Sequence, residues 1–259
     1  MNKLEGQWIL VTGASAGIGE ACAHRFAEDG ASLILWARRM NRLETLAADL
    51  RDRHGAEVDI RQVDVRDRDL VIREAAALVE ADRVPDVILN NAGLASGFDA
   101  IHEGDYEDWD RMIDTNVKGL LNVTREILPH MVTRGTGHVV NIGSTAGHQV
   151  YPKGNVYNAS KFAVKALTEG INLDVAGTRV RVSSVDPGFV HTEFSRVRFH
   201  GDDERAEGVY EGFDPLTAGD VADCVHFVVT RPPHVNVFDL VLLPTAQRNV
   251  YVLDRDDPS

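Results

Sequence analysis

Tyr157 and Lys161 stand four residues apart in an amphipathic stretch, Val156–Val175. That spacing puts both side chains on one face of a helix, where they can approach each other. A neighbouring ammonium favours the ionised phenol and lowers the tyrosine's pKa towards working pH, as proton exchange with a substrate requires. Ser144 lies thirteen residues before Tyr157, just after the apolar run Val139–Ile142. Its hydroxyl is placed to hydrogen-bond a carbonyl or carbinol oxygen. Each residue alone has an ordinary explanation, a Tyr–Lys helix pair most often being a surface contact. Their conjunction after an apolar run points to proton transfer at a substrate oxygen.

A second group surrounds the first apolar run, Trp8–Val11. It is followed at once by Thr12-Gly13-Ala14-Ser15-Ala16-Gly17-Ile18-Gly19 and then by the amphipathic stretch Ile18–Glu28. Glycines between a strand and a helix let the backbone turn tightly and approach a pyrophosphate lodged on the helix N-terminus. The spacing is G-x3-G-x-G, and the strand–turn–helix context marks it as a dinucleotide turn rather than a packing device. An NAD-binding sheet places an acid about 20 residues further on, for the ribose 2′-hydroxyl. Here that region reads Leu35-Trp36-Ala37-Arg38-Arg39, without an acid. Two guanidiniums suit a 2′-phosphate and so NADP(H). The alternative is that they open a solvated helix, but cations at a helix start oppose its dipole, which a bound anion would rationalise.

The elements that must hold these residues follow a regular beat. Apolar runs at Trp8–Val11, Ser32–Trp36, Val58–Val63, Val87–Leu89, Val139–Ile142 and Val180–Val185 alternate with amphipathic stretches. Those stretches are Ile18–Glu28, Arg39–Asp52, Asp69–Ala81, Tyr106–Thr133 and Val156–Val175, with a further helix expected at Leu216–Val229 and a last strand at Val237–Leu243. Such alternation predicts an α/β fold: a single-domain, doubly wound parallel sheet of about seven strands with helices on both faces. No linker or repeat divides residues 1–259, so one Rossmann-type domain is expected. The segment at about 188–215 exceeds an ordinary connection and is expected to be a substrate lid.

Composition removes other classes of function. Forty acidic against 27 basic residues give a net charge of −13, which argues against nucleic-acid binding. No apolar window spans a bilayer, and Met1–Gly6 carries no apolar signal core. Cys22 and Cys224 share no CxxC spacing, so a disulfide framework is not expected and a reducing cytoplasm is. No pair among the ten histidines has the spacing of a zinc-protease helix, and no metal is expected.

Thr12–Gly19, Asn91-Ala92-Gly93, Asn116, Ser144, Tyr157-x3-Lys161 and Pro187-Gly188 together resemble the short-chain dehydrogenase/reductase family over nearly the whole chain. The resemblance implies hydride transfer with NADP(H) as the cofactor and no metal. It makes Tyr157 the acid/base, Lys161 the residue that lowers its pKa and holds the nicotinamide ribose, and Ser144 the residue that orients substrate. Asn116 would position a water linking Lys161 to solvent. On the cofactor it implies Gly13, Ser15, Ala16, Gly17, Ile18 and Gly19 at the pyrophosphate, Arg38 and Arg39 at the 2′-phosphate, and Asp64 and Val65 at the adenine. Asn91, Ala92 and Gly93 would meet the adenosine ribose side, and Pro187, Gly188, Val190 and Thr192 the nicotinamide. His191 falls at a variable place and receives no role.

Three stretches, Asn141–Gly147, Val197–Asp203 and Pro233–Asn236, resemble the branch of NADP-dependent 3-hydroxy acid dehydrogenases, which includes serine and allo-threonine dehydrogenases, malonic semialdehyde reductases and sulfoacetaldehyde reductases. That branch implies a small anionic hydroxy acid or aldehyde, anchored by an arginine: Arg198 inside the matching stretch, with Arg196 in reserve. The other possibility is that both arginines only pair with Asp202, Asp203 and Glu204. The family also implies a homotetramer or homodimer. Two rivals remain, a reductase of bulkier neutral ketones and a non-catalytic NADP-binding sensor. The charged segment Ser195–Glu207 disfavours the first, and the presence of Tyr157 and Lys161 the second.

Overall fold

The computed structural model describes residues 3–255; the expected domain's extremities, 1–2 and 256–259, lie outside the described residues. The chain runs β1 (Trp8–Thr12), α1 (Gly17–Glu28), β2 (Ser32–Ala37), α2 (Met40–His54), β3 (Val58–Gln62), α3 (Arg68–Glu80) and β4 (Val87–Asn90). Next come α4 (Tyr106–Ile113), a π-helical turn (Asp114–Gly119), α5 (Leu120–Arg134), β5 (Thr136–Ile142), a 3₁₀ turn (Thr145–Gly147) and α6 (Asn155–Asp174). The last part holds β6 (Arg179–Pro187), β7 (Val190–His191), α7 (Phe194–Arg198), α8 (Asp203–Gly208), β8 (Leu216–Thr217), α9 (Ala218–Val229) and β9 (Asp239–Leu242).

Seven strands form one parallel sheet in the order β3-β2-β1-β4-β5-β6-β9. The order reverses direction between β1 and β4, which opens a crevice at the carboxyl ends of the strands where ligands of such sheets bind. Alternate strand residues feed two cores. Ile9, Val11, Leu33, Leu35 and Leu89 pack with Phe26 of α1, Leu43 of α2 and Val225 of α9. Leu10, Ile34, Trp36 and Ile88 pack with Leu78 of α3, Ile127 of α5 and Val164 of α6. Apolar side chains on both faces are what a sheet covered twice by helices requires. Among the described residues no helix is long and apolar enough to cross a membrane.

Two expected elements differ in detail. The stretch Tyr106–Thr133 is not one α-helix, because the π-helical turn Asp114–Gly119 interrupts it around the buried Asn116. Such turns insert a residue into the helical ladder and re-aim side chains at functional positions. The helix expected from Leu216 begins at Ala218. Thr217 forms a capping box with Asp220, while Leu216 and Thr217 pair with Val190 and His191 in a two-stranded ribbon. The segment at 188–215 contains β7, α7 and α8.

A buried polar chain fixes α6 against this sheet. Asn90 Nδ2 donates to Thr124 Oγ1 (3.0 Å) and Asn141 Oδ1 (2.9 Å), and Asn141 Nδ2 donates to Thr168 Oγ1 (2.9 Å). It ties β4, β5, α5 and α6 together beneath Tyr157 and Lys161. Asn141→Leu would remove one hydrogen bond from each of two partners that keep another, Asn90 to Thr124 and Thr168 to the Val164 carbonyl, at about 0.5–1.5 kcal/mol for each bond lost. Chemical denaturation should show a loss of that order, and an unchanged midpoint would show that the chain does not hold α6.

Candidate functional site

The glycine-rich turn joins β1 to α1 at the crevice. Gly13 has φ of +65°, and a Cβ there would lie 2.9 Å from the Ala92 Cα, so both the turn and the approach of the β4 loop demand glycine. Thr12 Oγ1 accepts from the backbone N–H groups of Asn91 (3.1 Å) and Ala92 (3.0 Å). Asn91 Nδ2 donates back to the Thr12 and Gly13 carbonyls at 2.9 and 3.2 Å. Asn91 is therefore a brace of the turn through its side chain. One continuous cleft is lined by Gly13, Ser15, Ala16, Gly17, Ile18, Asp64, Val65, Asn91, Ala92, Gly93, Pro187, Gly188, Val190 and Thr192.

Arg38 and Arg39 line one end of this cleft, just beyond Ala37 at the end of β2. Arg39 Nε donates to Ser15 Oγ at 3.1 Å, and its Nη1 meets Glu193 Oε2 at 3.0 Å. Arg42, which no sequence motif marks, meets the other oxygen of Glu193 at 2.7 Å. Arg42 first, then Arg39, holds the Glu193 carboxyl below its ordinary range, against the opposing effect of partial burial. Asp64 is gripped by Arg66, with Nη2 to Oδ2 at 2.6 Å.

The other end of the cleft holds Ser144, Tyr157 and Lys161, all buried, with Asn116 buried behind them. Tyr157 and Lys161 sit on successive turns of α6, and Lys161 Nζ lies 6.0 Å from the Tyr157 ring centre. Lys161 Nζ donates to the Ile142 carbonyl at 2.9 Å. Burial brings its pKa down to about 8, and the charge of Asp186 works in the opposite direction. Burial pushes the Tyr157 phenol up, and Tyr151 adds to this, while the Ser144 hydroxyl and the Arg198 charge pull it back. Arg198, expected only as a substrate anchor, is thus also a cation acting on Tyr157. Asn116 Oδ1 accepts from the Leu94 N–H (2.8 Å), and its Nδ2 donates to the Leu94 carbonyl (2.8 Å) and to Ser160 Oγ (3.0 Å).

The two candidate arginines of α7 part company. Arg196 is exposed and pairs with Asp203 at 2.8 Å, the surface role considered for both. Arg198 turns inward. Its guanidinium carbon lies 4.5 Å from the ring centre of Phe98, 5.5 Å from that of Tyr151 and 5.7 Å from that of Tyr157. Its Nε and Nη2 are buried with no hydrogen-bond partner among the described residues. The Arg198 carbonyl accepts from the Gly97 N–H at 2.9 Å. The adjoining turn is tied to α4, where His200 Nε2 meets Asp108 Oδ2 at 3.1 Å and Ser96 Oγ donates to Asp108 Oδ1 at 2.6 Å. Phe98, Tyr151 and Asp108 join the site only through tertiary contacts, and no local pattern marks them.

A family model described as short chain dehydrogenase matches residues 7–203. The chain is similar to the NADP-dependent 3-hydroxy acid dehydrogenase YdfG of Salmonella typhi, 46% identical over 240 residues, 92% of this chain and 95% of that protein. It is similar to the sulfoacetaldehyde reductase of Chromohalobacter salexigens, 44% identical over 250 residues, 96% of this chain and 98% of that one. Among solved structures it resembles the closed form of serine dehydrogenase complexed with NADP+, with a TM-score of 0.89 and 43% identity, covering 96% of this chain and 100% of the other.

Proposed function

The chain belongs to the short-chain dehydrogenase family, and on that premise we propose that it is an NADP(H)-dependent oxidoreductase whose substrate is a small anionic hydroxy acid or aldehyde. A 3-hydroxy acid or serine-type compound, or a semialdehyde or sulfoacetaldehyde, fits this description. The cofactor reading is supported by the single cleft in which the glycine-rich turn, Arg38 and Arg39 are continuous with Tyr157 and Lys161, and by an Ala37 that cannot contact a ribose hydroxyl as an acid does. The bound nicotinamide supplies or accepts the hydride. Gly13 to Gly19 would face the pyrophosphate, Arg38 and Arg39 the 2′-phosphate, Asp64 and Val65 the adenine, and Asn91 to Gly93 the adenosine ribose side. Pro187, Gly188, Val190 and Thr192 would face the nicotinamide.

The chain's own residues manage the substrate oxygen. The Tyr157 phenol donates a proton to it in reduction and recovers one in oxidation. Ser144 donates a hydrogen bond that holds the oxygen beside Tyr157. Lys161 holds the ribose and, as a cation, steadies the phenolate. Asn116 braces the Leu94 loop opposite and positions the water that links Lys161 to solvent.

The observation that carries the substrate reading is Arg198, whose buried Nε and Nη2 have no partner among the described residues. A charge withdrawn from water without compensation is strongly unfavourable. The rings of Phe98, Tyr151 and Tyr157 supply part of that compensation, since an aromatic face attracts a cation. A planar fork with two free N–H groups is complementary to a carboxylate or sulfonate. The anion would sit beside Tyr157 and close to the reacting carbon, a geometry that favours small charged substrates over bulky neutral ketones. The apolar side chains left exposed on α6 and β9, Phe162, Leu173 and Val241, support self-association into a homodimer or homotetramer.

Tyr157→Phe keeps the ring and removes the transferable proton, so kcat should fall about 10²–10⁴-fold while NADPH titration still shows binding. Near-normal turnover would assign the proton to another group. Arg198→Ala should raise KM for a 3-hydroxy acid or sulfoacetaldehyde and leave a neutral aldehyde of similar size almost unaffected. Equal losses on both would show only a disordered α7. Replacing Ala37 by Asp and Arg38 by Ala should weaken NADP(H) and relieve the discrimination against NAD(H), measured as kcat/KM. A native preference for NAD would contradict the cofactor reading.

A further inference from the structure

Behind the cleft lies a second set of titratable groups that the reaction described above does not use. Asp186 is 2% exposed, on β6 immediately before Pro187. It lies across the β5–β6 ladder from Gly143, the residue between Ile142, whose carbonyl holds Lys161, and Ser144. The approach is so close that a Cβ on Gly143 would lie 1.8 Å from Asp186 Oδ1. The carboxylate is therefore pressed against the residue that joins the peptide whose carbonyl holds Lys161 to the peptide of Ser144. Ser184 Oγ donates to Asp186 Oδ1, and His148 Nε2 lies 2.5 Å from Asp186 Oδ2. Lys165 Nζ lies 2.9 Å from His148 Nδ1. An ammonium that donates to Nδ1 leaves the ring proton on Nε2, so His148 donates to Asp186. The donor atoms of His148, Asp186 and Asp239 lie within 4.8 Å of one another, but that assigned proton makes His148 a hydrogen-bond donor rather than a metal ligand.

We infer that Asp186 is a positioning residue, the buried counter-ion that keeps Lys161 charged and Tyr157 protonated, and that its own charge is held by His148. The inference rests on the roles proposed above for Lys161 and Tyr157. The groups facing Asp186 are His148 after the 3₁₀ turn, Ser184 on β6, Lys161 and Tyr157 on α6, and Asp239 on β9; Lys165 acts through His148. The signs are consistent. Burial raises the Asp186 carboxyl's own pKa and Asp239 adds to this, while Ser184 and His148 oppose them. The Asp186 anion raises Lys161 and also raises Tyr157. It thus biases the pair towards ammonium and phenol, the state that protonates a carbonyl oxygen.

The test is to titrate the lysine side chains directly. The chain has only five lysines, at positions 3, 118, 153, 161 and 165, so 13Cε-labelled lysine signals can be resolved and Lys161 assigned by its loss in Lys161→Ala. In the native chain Lys161 should titrate near 8. In Asp186→Asn it should titrate about one unit lower, the shift expected when a nearby opposite charge is removed. His148→Phe, at a partly exposed site, should move it in the same direction and carries the test if Asp186→Asn does not fold. An unchanged Lys161 titration in the folded variants would overturn the inference. The alkaline limb of kcat/KM for carbonyl reduction should move to lower pH together with Lys161. If the lysine moves and that limb does not, the counter-ion stands and the role given to Lys161 in the reaction fails.

Discussion

A cation withdrawn from water has to meet compensating charge, and this constraint organises the whole cleft. The structure answers it differently at each position. Arg39 and Arg42 share Glu193 at the half-exposed end, where the pairing costs little because solvent still reaches both partners. Lys161 is deeply buried on the Ile142 carbonyl, and Asp186 lies against the next residue, Gly143. Arg198 has aromatic faces and, among the described residues, no anion on its Nε and Nη2. Within the proposed reading, that last position is completed by the substrate. The same demand explains why these side chains converge at the carboxyl edge of the sheet, where the strand order reverses and the backbone leaves room for a ligand.

The remaining architecture serves to hold those charges still. The Asn90–Asn141–Thr168 chain sets α6, and with it Tyr157 and Lys161, against β4 and β5. The π-helical turn aims Asn116 at the Leu94 backbone, which forms the wall opposite α6. Glu193, at the start of α7, ties the segment at 188–215 to the arginines of α2, and the Asp108–His200 contact ties its middle to α4. Arg198 lies between these two tethers in the chain, so the backbone that presents it is held on both sides.

Much of this was legible in the sequence because it is local. The alternation of apolar runs and amphipathic stretches gave the seven strands of the sheet, and the glycine spacing gave the turn at the first strand. Tyr157 and Lys161 were visible through a four-residue helical spacing, and Arg198 through the branch-like stretch around it. What escaped notice depends on contacts between distant segments. Asp186 reads as one more residue before a Pro-Gly pair until the β5–β6 register sets it against Gly143. Phe98 and Tyr151 carry no local signal, and they surround Arg198 only once α6 and the segment at 188–215 close over the sheet. The interruption at Asn116 was hidden because a π-turn keeps the helical appearance of the surrounding sequence.

The most direct measurement is inhibition by small isosteric pairs in the presence of NADP+. Acetate can be compared with acetamide, and methanesulfonate with methanesulfonamide, each assayed against the charged substrate at low ionic strength. An anion-demanding Arg198 predicts that the charged member of each pair competes with substrate roughly tenfold more tightly, a difference of about 1.4 kcal/mol. Equal inhibition by the charged and neutral members would contradict it, and would mean that the half-buried guanidinium is satisfied by its aromatic neighbours alone.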